Sequence, residues 1–236
     1  MVRQVSWNSS SAKRTTHSAT GRMTRQQNSM KPLSSKAKPG DLFSVPAKNK
    51  EGKTGFVIGR YIELIPTNVG HLIEVFARFY TEHPQSISEV DKSQRLFRPI
   101  MCSLRFAEIP RWKVLFSDPD YDKSQSDYDS IAIAFDTKLW IGGKSRSAIK
   151  DELRGFEDST CWRMQHIVFR VNAHLAGIFG PNDWYDYHRV PKGQRVDDPA
   201  AKEEVIALAE AMDARFKAWE EEEKASKPRK RQVAQP

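Results

Sequence analysis

The feature that most constrains this chain is a change of hydrophobic period. From Gly40 to Ile141 apolar residues favour alternate positions, the mark of strands that bury one face. Beyond Asp158 the spacing lengthens to three and four residues, the mark of amphipathic helices. Strands first and helices afterwards place the chain in the α+β class. The expected architecture is an N-terminal twisted antiparallel β-sheet or small barrel followed by two or three α-helices.

The elements follow from local pattern. Asp41–Pro46 reads as a strand, Asn49-Lys50-Glu51-Gly52 as a turn, and Thr54–Ile65 as the second arm of a hairpin. In His71–Tyr80 the set Ile73, Val75, Ala77 and Phe79 is apolar, while Leu72, Glu74, Phe76 and Arg78 are mixed. Leu96–Phe106, Arg111–Phe116, Ile131–Phe135 and Lys138–Ile141 complete about six or seven strands, with Pro46, Pro66, Pro84, Pro99 and Pro110 at edges or ends. Ser147 is placed to cap a short helix that Gly155 ends. After Asp158 and Ser159, the residues Cys161, Met164, Val168, Val171, Leu175 and Ile178 mark a helix that Gly180-Pro181 stops. A last helix starts at Asp198-Pro199 and carries the stripe Val205, Leu208, Met212, Phe216 and Trp219.

Charge is distributed unevenly, and that matters for partners. The formal charge of the whole chain is +8. Residues 1–40 hold eight basic residues and no acid, and 224–236 hold five more, again with no acid. Between them, 41–223 carries 25 basic against 30 acidic residues, a net of −5. A fold built to hold a polyanion would carry the positive charge itself. Segment 1–36 is polar and basic with few large apolar groups, so it is expected to be a disordered tail. The expected organisation is then a basic tail at 1–36, an α+β domain at 37–186, a linker with an amphipathic helix at 187–223, and a second basic tail at 224–236. The tails could touch nucleic acid weakly and without specificity, which leaves a DNA-associated protein as one alternative. Cys102 and Cys161 form no disulfide framework or zinc-ligand pattern, which suits a reducing cytoplasm. No apolar run is long enough to span a membrane.

Several clusters could carry chemistry or contact. Asp118, Asp120 and Asp122 have the spacing that opens a calcium loop. Lys123 stands where the sharp turn needs glycine and Asp129 where a bidentate glutamate belongs, so the segment reads better as a solvated acidic loop. Arg163, His166, Arg170 and His174 fall on the helix face opposite its apolar stripe, where they could hold a phosphoester or an acidic partner surface, or simply form a solvated polar helix face. Trp184, Tyr185 and Tyr187 crowd a loop with no burial pattern and could be contact residues or packing. Asp41 is expected to fix a turn through backbone hydrogen bonds. Trp112 is expected in the core. No catalytic constellation, metal set or cofactor motif emerges.

Gly40-Asp41-Leu42-Phe43-Ser44-Val45-Pro46, followed by Gly55-Phe56-Val57-Ile58-Gly59-Arg60, resembles the opening of the immunity protein 26 family. Phe97-Arg98-Pro99-Ile100 and Arg111-Trp112-Lys113-Val114 are similar to its later strands. The resemblance covers about 38–120, fades toward 186, and implies a bacterial protein of a polymorphic toxin system that binds and neutralises a cognate toxin. A net-negative domain suits a basic toxin. Some relatives carry the label of phosphotriesterases, so hydrolysis of organophosphate esters is a further alternative. Gly40, Asp41, Phe43, Pro46, Gly59 and Trp112 are the residues expected to set the structural motif.

Overall fold

A computed structural model describes residues 31–34, 36–65, 70–104 and 112–226. Its main element is a curled seven-stranded sheet in the order β1-β6-β2-β3-β4-β5-β11. The strands are β1 (Lys31–Pro32), β2 (Asp41–Lys48), β3 (Thr54–Ile65), β4 (Gly70–Tyr80), β5 (Ile100–Ser103), β6 (Lys113–Ser117) and β11 (Cys161–Arg163). A second sheet, β10-β7-β8-β9, is formed by β7 (Ala132–Phe135), β8 (Lys138–Ile141), β9 (Lys144–Ser147) and β10 (Glu157–Asp158). Helices α1 (Lys150–Leu153), α2 (Met164–Leu175) and α3 (Pro199–Ser226) follow the first nine strands. The α+β class therefore holds, as an open sheet with edges at β1 and β11. The expected antiparallel pairing holds for most neighbours but not all. β11 runs parallel to β5, and β10 parallel to β7, because each late strand returns through a long connection instead of a hairpin.

Alternation along the central strands sends side chains to two cores. Ile73 and Val75 join a main cluster with Phe43, Phe56, Val168, Val171, Leu208, Met212 and Phe216, where α2 and α3 cover the sheet. Leu72 and Ile62 join a smaller cluster with Met101, Ile133 and Trp140, where the second sheet covers the opposite face. The stripe expected on α3 is buried from Val205 to Phe216, and Phe216 meets the Phe56 ring at 5.3 Å. Each such side chain removed from water contributes about 1.5–3 kcal/mol. Asp198 starts α3 by accepting a hydrogen bond from the Ala201 amide at 3.0 Å. This helix is thus part of the same core as the sheet.

The differences from the expected boundaries have local causes. Leu33 is buried and its amide donates to the Trp112 carbonyl at 2.7 Å, while β1 pairs with β6, so the fold begins ahead of residue 37. The helix expected to start near Cys161 starts at Met164, since Cys161–Arg163 are taken up by pairing with Met101–Ser103. Ser147 ends β9 and caps nothing; the short helix begins at Lys150 after Ile149. The strand expected over Leu96–Phe106 is limited to Ile100–Ser103 among described residues, because Leu96 instead donates to the Val75 carbonyl at 2.8 Å in an irregular approach. Pro66, Pro110 and Arg111 lie outside the described residues.

Candidate functional site

The motif residues of the first strand turn out to anchor a loop far away in sequence. Gly40 has φ +88°, and a Cβ placed there would lie 2.6 Å from Tyr121 Cβ and 2.7 Å from the Asp118 carbonyl oxygen. Only glycine permits both that conformation and that approach. Asp41 accepts from the Lys38 amide at 2.8 Å, the turn role expected of it, and also from the Ser117 hydroxyl at 2.7 Å, just where the loop departs β6. Gly59 leaves room for Phe43, whose ring would lie 2.6 Å from a Cβ at that position. Phe43 in turn stacks on Trp112 with centroids 5.5 Å apart. Pro46 pairs with Phe56 beyond the end of the β2–β6 pairing, where a missing N–H costs no ladder bond on that side.

The loop so anchored spans 118–130 and presents Asp118, Asp120, Asp122, Asp127 and Asp129. Asp120, Asp122, Asp127 and Asp129 are exposed. Asp118 accepts from the Asp120 amide at 3.2 Å, and Asp122 from the Ser124 amide at 2.9 Å. The Ser124 hydroxyl, followed by this amide bond, holds the Asp122 carboxyl below its ordinary value. These are turn-forming bonds, and among the described residues no group of three His, Cys, Asp or Glu side chains is arranged to hold a metal ion.

A buried ionic network fastens the middle of this loop to the sheet. Arg60 and Glu74 are direct cross-strand partners on β3 and β4, both fully buried, with Arg60 Nε 3.5 Å from Glu74 Oε1. Arg95 Nε donates to Glu74 Oε2 at 2.7 Å. Ser126, completely inaccessible, donates its hydroxyl to Glu74 Oε1 at 2.6 Å, and Arg95 also donates to the Ser126 carbonyl. Arg60 stacks against Phe76 and Tyr121 at 5.2 and 4.9 Å. A second tether joins Lys123 and Tyr128 to Glu63 on β3. Burial, followed by its bond to Glu63 and that charge, raises the Tyr128 phenol well above its usual range. Satisfied buried networks of this kind fix one geometry. The loop is thus tied to the sheet at its middle while Asp120, Asp122, Asp127 and Asp129 stay exposed.

Two of the four helix residues singled out from sequence, Arg170 and His174, do not lie on a solvated polar face. Arg170 is fully buried and makes a bidentate pair with Glu157 of β10 at 2.6 and 2.9 Å. Its guanidinium lies among the rings of Phe97, Trp162 and Tyr185 at 4.6, 4.9 and 5.5 Å. His174 is also buried, against Phe97 and Phe179. Burial, reinforced by the Arg170 charge and only partly opposed by Asp183 and the Phe179 backbone, lowers its pKa from 6.5 to about 4. For Arg170 and His174 a solvated position is ruled out because α2 is enclosed on more than one side, and this part of its opposite face meets β10 and the segment after the helix. Arg163 is exposed at the helix start and His166 is half-buried.

The aromatic loop divides. Tyr185 packs on Trp162 and Phe179, and burial raises its phenol to about 12. Trp184 and Tyr187 remain exposed. A cleft of about 440 Å³ joins the two loops: Gln125 and Asp127 line one side, Pro181 and Asn182 another, and Lys92, Arg95 and Arg98 the rest. Gln125 and Asp127 of the acidic loop and Pro181 and Asn182 of the segment after α2 therefore border one cleft, although more than 50 residues separate Asp127 from Pro181 in sequence. Sequence reasoning missed Arg60, Glu74, Arg95, Ser126 and Glu157. The signal for two of them was present: Arg60 and Glu74 each interrupt the apolar register of a central strand.

Among the described residues no helix is long and apolar enough to cross a membrane. The basic segments 1–30 and 227–236 lie outside the described residues, and with them most of the charge on which a nucleic-acid reading rests. Among known families, the one described as Immunity protein 26 matches residues 38–140, which run from the turn before β2 to β8 and include the anchored acidic loop. No curated protein and no solved structure matches the chain.

Proposed function

We propose, from the match of residues 38–140 to the immunity protein 26 family, that this protein binds and neutralises a basic bacterial toxin of a polymorphic toxin system. The observation that carries the proposal to a particular surface is the loop 118–130, tied to the sheet at Ser126 by the buried Arg60–Glu74–Arg95 network while Asp120, Asp122, Asp127 and Asp129 are exposed. A toxin acting on nucleic acid or other anions carries a cationic surface, and an anionic loop of fixed shape both steers and blocks such a surface. Rigidity lowers the ordering cost of association. Trp184 and Tyr187, exposed in the segment that follows α2, supply the apolar contact that a charged loop alone lacks. Neutralisation then needs no chemistry from this chain, only coverage of the toxin's working surface.

The test is complex formation with the cognate toxin, measured by calorimetry together with the toxin's own activity. The proposal expects a stoichiometric complex in which activity is lost. A toxin that stays fully active when saturated with this protein would overturn it.

A further inference from the structure

The cleft beneath the two loops has a chemistry of its own, opposite in sign to the acidic loop at its rim. Lys92, Arg95 and Arg98 converge on it from one short segment between β4 and β5. That segment is held in place by the bridge of Phe76 to Arg95 and by the amide of Ala77 donating to the Gln94 carbonyl at 2.9 Å. Two carboxylates, Glu74 and Asp127, also line the cleft. Glu74 is consumed: its oxygens face Arg95, Ser126 and, from behind, Arg60. Asp127 accepts from the Ser130 hydroxyl at 2.9 Å. Its residue has φ 48°, the one non-glycine among the described residues with positive φ. By contrast the guanidinium of Arg98 donates to a neutral acceptor, the Gly155 carbonyl. Lys92 is exposed. Three lining cations thus face two lining carboxylates, inside a segment 41–223 whose net charge is −5.

We propose that this cleft is a binding site for a small phosphate-bearing ligand, a phosphomonoester or a nucleotide. Its volume of about 440 Å³ lies within the range of small-molecule sites, about 300–1,000 Å³. Lys92 and Arg98 supply the charge-assisted donors that a phosphate dianion takes, one as a compact ammonium and one as a planar fork. The side-chain amides of Gln94 and Asn182 add neutral donors, and Pro99 and Pro181 give an apolar wall for the organic part. Arg95 is a positioning residue: its bonds to Glu74 and Ser126 fix the floor of the cleft.

The experiment uses the full chain without any toxin, so that its outcome is independent of the toxin-binding proposal. Inorganic phosphate, pyrophosphate and adenosine monophosphate are titrated at low ionic strength by calorimetry and thermal shift, with acetate and sulfate as controls. Saturable binding of a phosphorylated probe is expected, weakened about tenfold or more in K92A/R98A. Because Arg98 also touches Gly155, K92E serves as a second variant at an exposed position and is expected to weaken binding while leaving the melting temperature of the free protein unchanged. Absence of binding at millimolar concentration, equal binding of acetate or sulfate, or undiminished binding in both variants would each overturn the assignment.

Discussion

The acid response of the fold follows from His174. The unfolded chain holds its proton with the ordinary value of 6.5, whereas the buried ring in the folded protein does so at about 4. As pH falls, the unfolded state is protonated first and is favoured. The neutral ring's contribution is therefore fully present above pH 6.5 and is lost as pH falls toward 4. With 1.36 kcal/mol per tenfold change in proton affinity, the loss is about 2 kcal/mol between pH 7 and 5, and about 3 kcal/mol once both values are passed. For a domain of this size, 2 kcal/mol corresponds to roughly 4–8 °C in melting temperature. The substitution His174→Phe removes the titrating group and leaves an aromatic ring between Phe97 and Phe179. Overpacking shifts the whole stability curve, by about 1–3 kcal/mol at most, without changing its slope. The assay is urea denaturation at several pH values from 7.5 to 4.5, scored as the difference between the two proteins. The difference should change by about 2 kcal/mol between pH 7 and 5 in favour of the variant. A difference that stays constant across that range would show that His174 protonates as readily in the fold as in the unfolded chain, and the reasoning would fail.

Three further outcomes follow from the same structure. Gly40→Ala forces a left-handed conformation and places a methyl on Tyr121 and the Asp118 carbonyl; it should cost about 2 kcal/mol or more in chemical denaturation. Arg170→Met strands the Glu157 carboxylate in the interior and should cost about 3–5 kcal/mol, most of which returns in R170M/E157M; a double variant no better than the single would refute the pairing argument. Phe216→Ala should cost about 3–5 kcal/mol, since its ring packs on Phe56, Trp219 and His83, and a value near zero would mean that α3 is not part of the core.

How much of this was legible in the sequence depends on the distance over which each feature is decided. Period and capping are local, so Thr54–Ile65, Lys138–Ile141 and the start of the last helix at Pro199 were readable to the residue. The start of α2 was not, because the pairing of Cys161–Arg163 with β5 is a contact between segments 60 residues apart. Amphipathicity located one buried face of α2 but could not reveal that a second sheet and an aromatic loop would bury the other around Arg170 and His174. The acidic loop was visible as composition. Its rigidity was not, since that depends on Gly40 and Asp41 at one end and on Glu63 and Glu74 beneath it. The Gly40-Asp41 motif thus has a physical role that sequence alone did not suggest: it seats the start of the proposed contact loop.

The central claim concerns that loop, and the most direct measurement is the association rate with the cognate toxin for the original protein and for D120K/D129K. Neither carboxylate is needed for the fold, so the variant should keep its stability within about 0.5 kcal/mol. Its association rate should fall about tenfold or more at low salt, and the rates of the two proteins should converge as ionic strength rises. Equal association rates at low salt, with the complex still formed, would show that the toxin docks elsewhere and would contradict the account.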